Sequence, residues 1–312
     1  MANPVDARNT GPAAFACLLL VGALLALSLI LAKLADQAGA PRLTFLMVGI
    51  GGAGLILTLI TAASRQPMPI NRRILEYGLA SGFLLATPNA LGFLAVRHVG
   101  AGFLSLSFAF PVLFTWILAT AMGLERVRPA RLLGVMLGLA GGLILAAAKA
   151  GDVSAAPGWA LLILAMPMLL AVGNVYRSLR WPSGASPLFL AGLMMLGAAL
   201  MLLPFVLVSE PGQLPALLAS ERITVLLGVE VLVFSVLYLF YFVLQKIAGP
   251  VYLSQMGTVA AVVGTLIAVL WLGEAPPPYL GLAGTLVALG TLLFHRGARA
   301  GLPKALRQGV SE

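Results

Sequence analysis

The sequence feature that most constrains the fold is a succession of apolar runs, each about 20 residues long, that fills almost the whole chain. A helix needs about that length to cross a hydrocarbon core roughly 30 Å thick. Only helices and closed barrels satisfy the backbone polar groups in lipid, and these runs lack the alternation of apolar and polar residues that barrel strands show. The sequence therefore predicts an all-α integral membrane protein.

We predict ten transmembrane spans, separated by short polar connections. They cover residues 13–34, 43–63, 73–95, 99–122, 130–149, 158–178, 187–208, 223–245, 250–272 and 277–295. Only 9% of the residues are charged, whereas a soluble domain carries roughly 25%. The basic tail, residues 296–312, is expected to lie outside the membrane on the cytoplasmic side.

The basic residues are divided unequally between the two sides of the predicted bundle. If the N-terminus is cytoplasmic, fourteen of the 19 Lys and Arg residues fall on the cytoplasmic side and five on the other. Cytoplasmic connections of membrane proteins carry such an excess. The net charge of +9 therefore needs no nucleic-acid partner, and we expect both termini to be cytoplasmic.

A long stretch of the sequence occurs twice, because Arg97–Leu143 lies on Lys246–Leu292 after a shift of 149 residues. Each copy reads as a basic residue, a glycine, an apolar run, a glutamate, a proline and a second apolar run. We divide the chain into a first repeat, residues 1–150, and a second repeat, residues 151–295. Each repeat holds five spans, so the second enters the membrane from the opposite side. Inverted repeats around a central cavity are the construction of many secondary transporters.

The eighth predicted span carries the most informative polar residue, Glu230, the only acid that lies well inside a span. An acid in such a place is by default a functional candidate. At 100° per residue, Glu230, Phe234, Tyr238, Tyr241 and Gln245 fall within roughly 80° of arc. This face should point into a water-filled space. The alternative is a structural carboxyl group that is hydrogen-bonded to a neighbouring helix.

The third predicted span combines a proline with polar neighbours at mid-membrane depth. A proline inside a helix frees a carbonyl group and kinks the helix, so Pro88 is expected to present Asn89 to the cavity. The alternative is a kink whose polar groups are satisfied locally. Further candidates for the cavity wall, each of which could instead form a helix–helix hydrogen bond, are Ser105, Asn174, Tyr252 and Gln255.

Small residues recur at helical spacing in the fifth and ninth predicted spans. They include Gly134 and Gly138 in the fifth span, and Gly257 and Gly264 in the ninth. In lipid, small residues let helix backbones approach closely. This pattern indicates either static packing or smooth faces on which the two halves can rock. Pro111 interrupts the fourth span and is a further candidate hinge.

The sequence lacks the motifs that would indicate an ATP-driven motor or an enzyme. It contains no Gly-xxxx-Gly-Lys-Ser/Thr phosphate loop and no HExxH zinc motif, and it contains no Cys/His cluster and no candidate Ser-His-Asp triad. We therefore predict no cofactor, no bound metal and no catalytic residue. An integral-membrane enzyme or a scaffold is the least favoured class of function.

Two short motifs resemble those of a known family. Apolar spans that end in Gly123–Glu125 and in Leu272–Glu274, each followed by proline and a glycine-rich span, resemble the paired EamA repeats of the drug/metabolite transporter superfamily. The stretch Asn174–Arg177, which closes the sixth span, is also similar to that family. The second copy departs from the first where Ala260 replaces the counterpart of Pro111.

This resemblance implies ten helices around a central cavity lined by spans one, three, four, six, eight and nine. It implies export of small metabolites, often amino acids and in some members aromatic ones, across a bacterial inner membrane. The expected partners are a small-molecule substrate and membrane lipid, and no oligomeric state is predicted. The alternative is a proton-coupled drug or cation effluxer, in which Glu230 binds a cation or a proton in turn.

Overall fold

A computed structural model of the protein describes residues 12–107, 110–125, 127–149, 157–271 and 279–299. Within these ranges the chain forms eleven α-helices and one 3-10 turn, and it contains no strand. The prediction of an all-helical fold is therefore confirmed for the part of the chain that is described.

The helices are α1 Pro12–Gln37, α2 Arg42–Ala63, α3 Arg72–Ser107, α4 Pro111–Ala121, α5 Pro129–Lys149, α6 Pro157–Leu179, α7 Pro187–Ser209, α8 Glu221–Ala248, α9 Pro250–Ser254, α10 Met256–Trp271 and α11 Leu280–Arg299. The 3-10 turn Leu214–Leu218 lies between α7 and α8. Only Gln255 separates α9 from α10, so these two elements together correspond to the ninth predicted span.

Four of the described helices, α1, α2, α7 and α8, are long and apolar enough to cross a membrane. Their outer faces carry exposed leucine and valine side chains, among them Leu29 at 61%, Leu59 at 67% and Val208 at 83% exposure. Large apolar patches of this kind are unfavourable in water and are the surface that lipid requires. The chain is therefore a multi-pass membrane protein.

The structure corrects the boundary between the third and fourth predicted spans. The sequence predicts a connection at residues 96–98, but α3 runs without a break to Ser107. No proline stands between Ala95 and Val99, and a basic residue alone does not end a helix. The next helix begins at Pro111, which occupies the first turn of α4, where a proline is tolerated because its missing N–H has no partner to lose.

The helices pack in pairs that join the two halves of the chain. In the first half, α1 lies against α8 and α10, α2 lies against α7 and α8, and α3 lies against α6 and α7. Another close pair is α5 with α11. The buried core between them is apolar and includes Leu18, Leu190, Leu237 and Phe242. The two halves of the chain thus share one core.

The α5–α11 crossing depends on glycine. A Cβ atom on Gly134 would lie 2.6 Å from the carbonyl oxygen of Gly290, and one on Gly290 would lie 2.7 Å from the backbone nitrogen of Gly138. No side chain fits at these distances, so the two backbones are in direct contact. The static-packing interpretation accounts for Gly134, whereas a Cβ atom on Gly138 itself would have no neighbour within 4 Å among the described residues.

The glycines of the ninth predicted span lie in a looser environment. A Cβ atom on Gly264 would meet the Cβ of Ala26 in α1 at 3.5 Å, which is ordinary van der Waals contact. Gly257 lies one residue into α10 and is half-buried. The α1–α10 contact therefore has room for a methyl group at Gly264, unlike the α5–α11 crossing.

Candidate functional site

A cavity of about 400 Å³ lies beside α8, between that helix and α1, α2 and α3. Its wall includes Glu230, Phe234 and Tyr238 from the predicted α8 face, Asn89 from α3, and Ser28 from α1. Much of the remaining wall is aliphatic. Cavities of this size, mostly apolar and with a few polar groups, are typical of small-molecule sites. The structure thus brings four of the predicted site residues together.

The carboxyl group of Glu230 is buried, with 2% of the residue exposed. The Ser28 hydroxyl donates a hydrogen bond to Glu230 Oε1 at 2.6 Å. The second oxygen, Oε2, has no hydrogen-bond partner among the described residues. A buried acceptor without a partner costs free energy, so this oxygen is available to a donor that a ligand brings into the cavity.

The spacing along α8 explains how the acid and the rings come to share one wall. Residues four apart lie on one face of a helix, which aligns Glu230, Phe234 and Tyr238. The ring centroids of Phe234 and Tyr238 are 5.7 Å apart, with planes inclined by 60°. Aromatic pairs favour this tilted geometry. Gly49 on α2 lies opposite, where a Cβ atom would be in van der Waals contact with Glu230 Cγ, at 3.4 Å.

Asn89 lines the cavity, but its side chain also forms a hydrogen bond within its own helix. The side-chain Nδ2 atom donates a hydrogen bond to the carbonyl oxygen of Leu85 at 2.7 Å. Pro88 lies inside α3 and cannot donate a backbone hydrogen bond. Both interpretations of Asn89 thus have a structural basis, since the amide lies at the cavity wall while one of its donors is used locally.

Charged residues mark one end of the cavity, where α1 passes into α2. Lys33, Asp36 and Arg42 line it there, and Lys33 and Arg42 are exposed. Arg42 Nη2 donates to Asp36 Oδ2 at 2.6 Å. Exposed ion pairs of this kind contribute little to stability. The cavity opens at this end, which we call the open end.

Glu210, which was not predicted from the sequence, connects the end of α7 to the start of α2 at the open end. Its carboxylate follows α7 and accepts hydrogen bonds from the backbone nitrogens of Leu43, at 3.0 Å, and Thr44, at 2.8 Å. These N–H groups lie in the first turn of α2, where an anion is favoured by the helix dipole. A residue of the second half thereby caps a helix of the first.

A buried polar cluster lies at the other end of the α8 face. Its centre is the Arg177 guanidinium in the last turn of α6, with 3% of the residue exposed. Arg177 Nε donates to Gln245 Oε1 at 3.1 Å, and Nη2 donates to Asn174 Oδ1 at 2.7 Å. Nη2 also donates to the Tyr241 hydroxyl, and the guanidinium carbon lies 5.1 Å from the Tyr241 ring centroid.

The remaining groups of this cluster are also hydrogen-bonded. The Tyr241 hydroxyl donates to Asn174 Oδ1 at 2.8 Å, and Gln245 Nε2 donates to the Asn174 carbonyl oxygen at 2.7 Å and to Ser178 Oγ at 3.0 Å. The backbones of α6 and α8 make little direct contact, so these long side chains span the gap between the helices. We call this end, built on Asn174, Arg177, Tyr241 and Gln245, the closed end.

Two of the remaining predicted site residues, Tyr252 and Gln255, lie away from the cavity. Tyr252 is buried, and its ring centroid is 5.8 Å from that of Phe294. Gln255, at the break between α9 and α10, is buried and has no partner for Nε2 among the described residues. Neither residue lines the cavity. Ser105 lies in α3, but its side chain is outside the described residues.

Two residues of the site were missed at the sequence level although signals for both exist. Ser28 is the only hydroxyl residue in the first apolar run, residues 13–34. Arg177 was counted only among the cytoplasmic basic residues because it lies at a span end, yet it follows Asn174 by three residues and so shares its helix face. Polar residues with this spacing at a helix end predict a buried pair.

Comparison with known proteins finds a similarity to a family over part of the chain. Residues 157–296 match the EamA-like transporter family. This segment includes α6, the whole of α8 and therefore Glu230 and the closed end. The chain also shares its fold with a solved crystal structure of another protein, with a TM-score of 0.71 and 23% sequence identity over 91% of this chain and 98% of that one. No curated protein matches the sequence.

Proposed function

We propose that the protein is a secondary transporter that exports small metabolites, amino acids in particular, across a bacterial inner membrane by alternating access. The observation that carries the proposal is the cavity at the open end, at whose wall Glu230 has a carboxyl oxygen without a partner among the described residues. The match of residues 157–296 to a transporter family supports it.

The chemistry of the cavity wall favours a substrate with an ammonium group and an apolar side chain. An ammonium donates three hydrogen bonds, which suits the free Oε2 of Glu230. The rings of Phe234 and Tyr238 offer faces that stack with a side chain or attract a cation. An aromatic amino acid carries both features and is small enough for a cavity of about 400 Å³.

The packing pairs support two halves that exchange shapes. The contact of α3 with α6 has its counterpart in α8 with α1, and that of α3 with α7 has its counterpart in α8 with α2. Helices α2 and α7 pair with each other, as do α5 and α11. This is the pattern that two inverted five-helix repeats related by a pseudo-two-fold axis produce.

Alternating access then requires the two ends to open in turn. The hydrogen bonds of Arg177 and Gln245 across the gap between α6 and α8 would form the gate of the closed end. On the topology predicted from the basic residues, the closed end faces the cytoplasm and the structure is the outward-open state. Substrate would enter from the cytoplasm once these side chains separate.

The test is counterflow of radiolabelled phenylalanine in proteoliposomes, with all twenty amino acids as competitors. Glu230→Gln keeps the shape but removes the charge, and it should lower exchange about tenfold or more, because an ammonium bound to a charged group gains more than one bound to an amide. Glu221→Gln is the matched control, since Glu221 is exposed at the start of the same helix. Failure of every amino acid to exchange would refute the proposed substrate class.

A proton-coupled effluxer of lipophilic cations is the second candidate, favoured by the same carboxyl group beside aromatic rings. The two functions differ in what Glu230→Gln does to accumulation. If Glu230 relays protons, the variant should lose accumulation driven by a pH gradient but keep downhill exchange. If Glu230 only binds the ammonium, both should fall together. Uptake of tetraphenylphosphonium by the wild type, with no amino-acid exchange, would favour the effluxer.

A further inference from the structure

The positive charge of Arg177 is buried without a counter-charge. Only 3% of the residue is exposed, and among the described residues no carboxylate lies within ion-pair distance of the guanidinium. Its hydrogen bonds go to the amide oxygens of Asn174 and Gln245 and to the Tyr241 hydroxyl. These partners satisfy donors but do not neutralise the charge, which is costly to bury in a membrane.

The groups around Arg177 suit a carboxylate as their replacement. A guanidinium binds a carboxylate through two parallel hydrogen bonds, more strongly than it binds neutral oxygens. The oxygens of Asn174 and Tyr241 are bound to Nη2 and the oxygen of Gln245 is bound to Nε, so a carboxylate that pairs with these two nitrogens displaces all three oxygens. Asn174 would keep its hydrogen bond from Nδ2 to Thr115 Oγ1, at 3.3 Å.

The position of Arg177 places it on the path of a substrate. Tyr238 lines the cavity, and the Tyr241 ring that lies against Arg177 is 5.6 Å from the Tyr238 ring, centroid to centroid. Glu230 and Tyr241 are eleven residues apart on α8, which is about 16 Å along a helix at 1.5 Å per residue. One amino acid is too short to bind Glu230 and Arg177 at the same time, so the two charged groups belong to separate binding sites.

We propose that Arg177 is a second substrate subsite, which binds the carboxylate of an amino acid when the closed end opens. The carboxylate replaces the oxygens of Asn174 and Tyr241 on Nη2 and that of Gln245 on Nε, which removes the hydrogen bonds that tie the guanidinium to α8. Glu230 then binds the ammonium group of the substrate at the other binding site. This inference rests on the proposed transport of amino acids.

The test compares phenylalanine with phenethylamine, which lacks the carboxylate, and with 3-phenylpropionate, which lacks the ammonium. Exchange of each radiolabelled compound is measured in proteoliposomes for the wild type, Arg177→Gln, Arg177→Lys and the control Arg180→Gln. Arg180 is exposed, at 61% of its side chain, and lies three residues further along the chain. The wild type and the control should prefer phenylalanine to phenethylamine by about tenfold or more, the discrimination expected of a built polar site.

Arg177→Gln should carry phenethylamine but lose this preference, together with any exchange of 3-phenylpropionate, whereas Arg177→Lys should keep an intermediate preference. An unchanged preference in either variant, or equal loss of both substrates in both variants, would overturn the subsite and leave Arg177 as a structural tie. If Arg177→Gln does not fold, the test rests on Arg177→Lys alone, through the ratio of phenylalanine exchange to phenethylamine exchange. A wild type that exchanges neither phenylalanine nor phenethylamine would instead refute the proposed function.

Discussion

The two ends of the polar face of α8 belong to one helix yet have opposite character. At the open end Glu230 keeps one oxygen without a described partner beside a cavity of about 400 Å³. At the closed end Tyr241 and Gln245 are bonded to Arg177 and Asn174 across the gap to α6. The difference lies in the neighbours. Ser28 is small and lies at the cavity wall, whereas the long side chain of Arg177 reaches from α6 to α8.

This comparison teaches that the polar groups of one helix face can serve two purposes. An unsatisfied group beside empty space is costly to the fold and useful for binding. A fully bonded network adds stability and closes a path. We therefore expect substitutions at the open end to affect transport more than stability, and substitutions at the closed end to affect both.

The largest effect is expected from filling the open end. A Cβ atom on Gly49 would lie 3.4 Å from Glu230 Cγ and 3.5 Å from the Phe234 ring, so Gly49→Ala should be tolerated. Gly49→Leu would press against Glu230 and Phe234, which line the cavity, and should reduce phenylalanine exchange about tenfold or more, since an overpacked site cannot accept the substrate. Normal exchange by the leucine variant would show that the cavity is not the binding site.

The next prediction compares the water access of Ser28 at the open end with that of Asn174 at the closed end. In a Cys17→Ser background, which removes the only cysteine of the chain, a membrane-impermeant maleimide should label Ser28→Cys about tenfold faster than Asn174→Cys. Both positions are buried, but thiolate chemistry needs access and ionisation, and only Ser28 lines the cavity. Equal labelling rates, measured by mass shift, would contradict the assignment of an open and a closed end.

A smaller effect tests stability at the closed end. Asn174→Leu removes the acceptor of the Tyr241 hydroxyl and one of the two acceptors of Arg177 Nη2, and leaving a donor buried without a partner costs about 1–3 kcal/mol. Thermal unfolding in detergent should show a lower Tm for this variant than for Glu230→Gln, which retains a hydrogen-bonding group opposite Ser28. A lower Tm for Glu230→Gln than for Asn174→Leu would reverse the comparison.

The smallest effect is expected at the surface of the open end. Arg42→Gln breaks the exposed pair with Asp36, whose side chain is 38% accessible. Exposed pairs contribute about 0–1 kcal/mol, so the Tm should hardly change. A fall comparable to that of Asn174→Leu would mean that Arg42 holds the α1–α2 connection more firmly than its exposure indicates.

Most of the helices were predictable because their signals are local. The helix α7 begins at Pro187 and α2 ends at Ala63, where the sequence places those span ends. The boundary between the third and fourth spans was wrong, because a charged residue such as Arg97 resembles a loop in a hydropathy pattern although it does not break a helix. Pro111, which removes a backbone donor, was the better guide.

The candidate site was predictable only in part. Glu230, Phe234 and Tyr238 share a wall because four-residue spacing fixes one helix face. The same spacing argument places Tyr241 with them, yet the Tyr241 ring lies against Arg177, outside the cavity. Periodicity tells which residues of one helix point the same way, but it does not tell what lies opposite each of them.

The sequence by itself determined that the chain is helical and apolar, where most helices begin and end, and which face of α8 is polar. These properties depend on residue type and on neighbours within a few positions. Only the tertiary structure decided that this face borders a cavity at Glu230 and a bonded cluster at Tyr241. That division depends on Ser28, Gly49 and Arg177, which are distant in sequence, and burial by distant partners has no local signal.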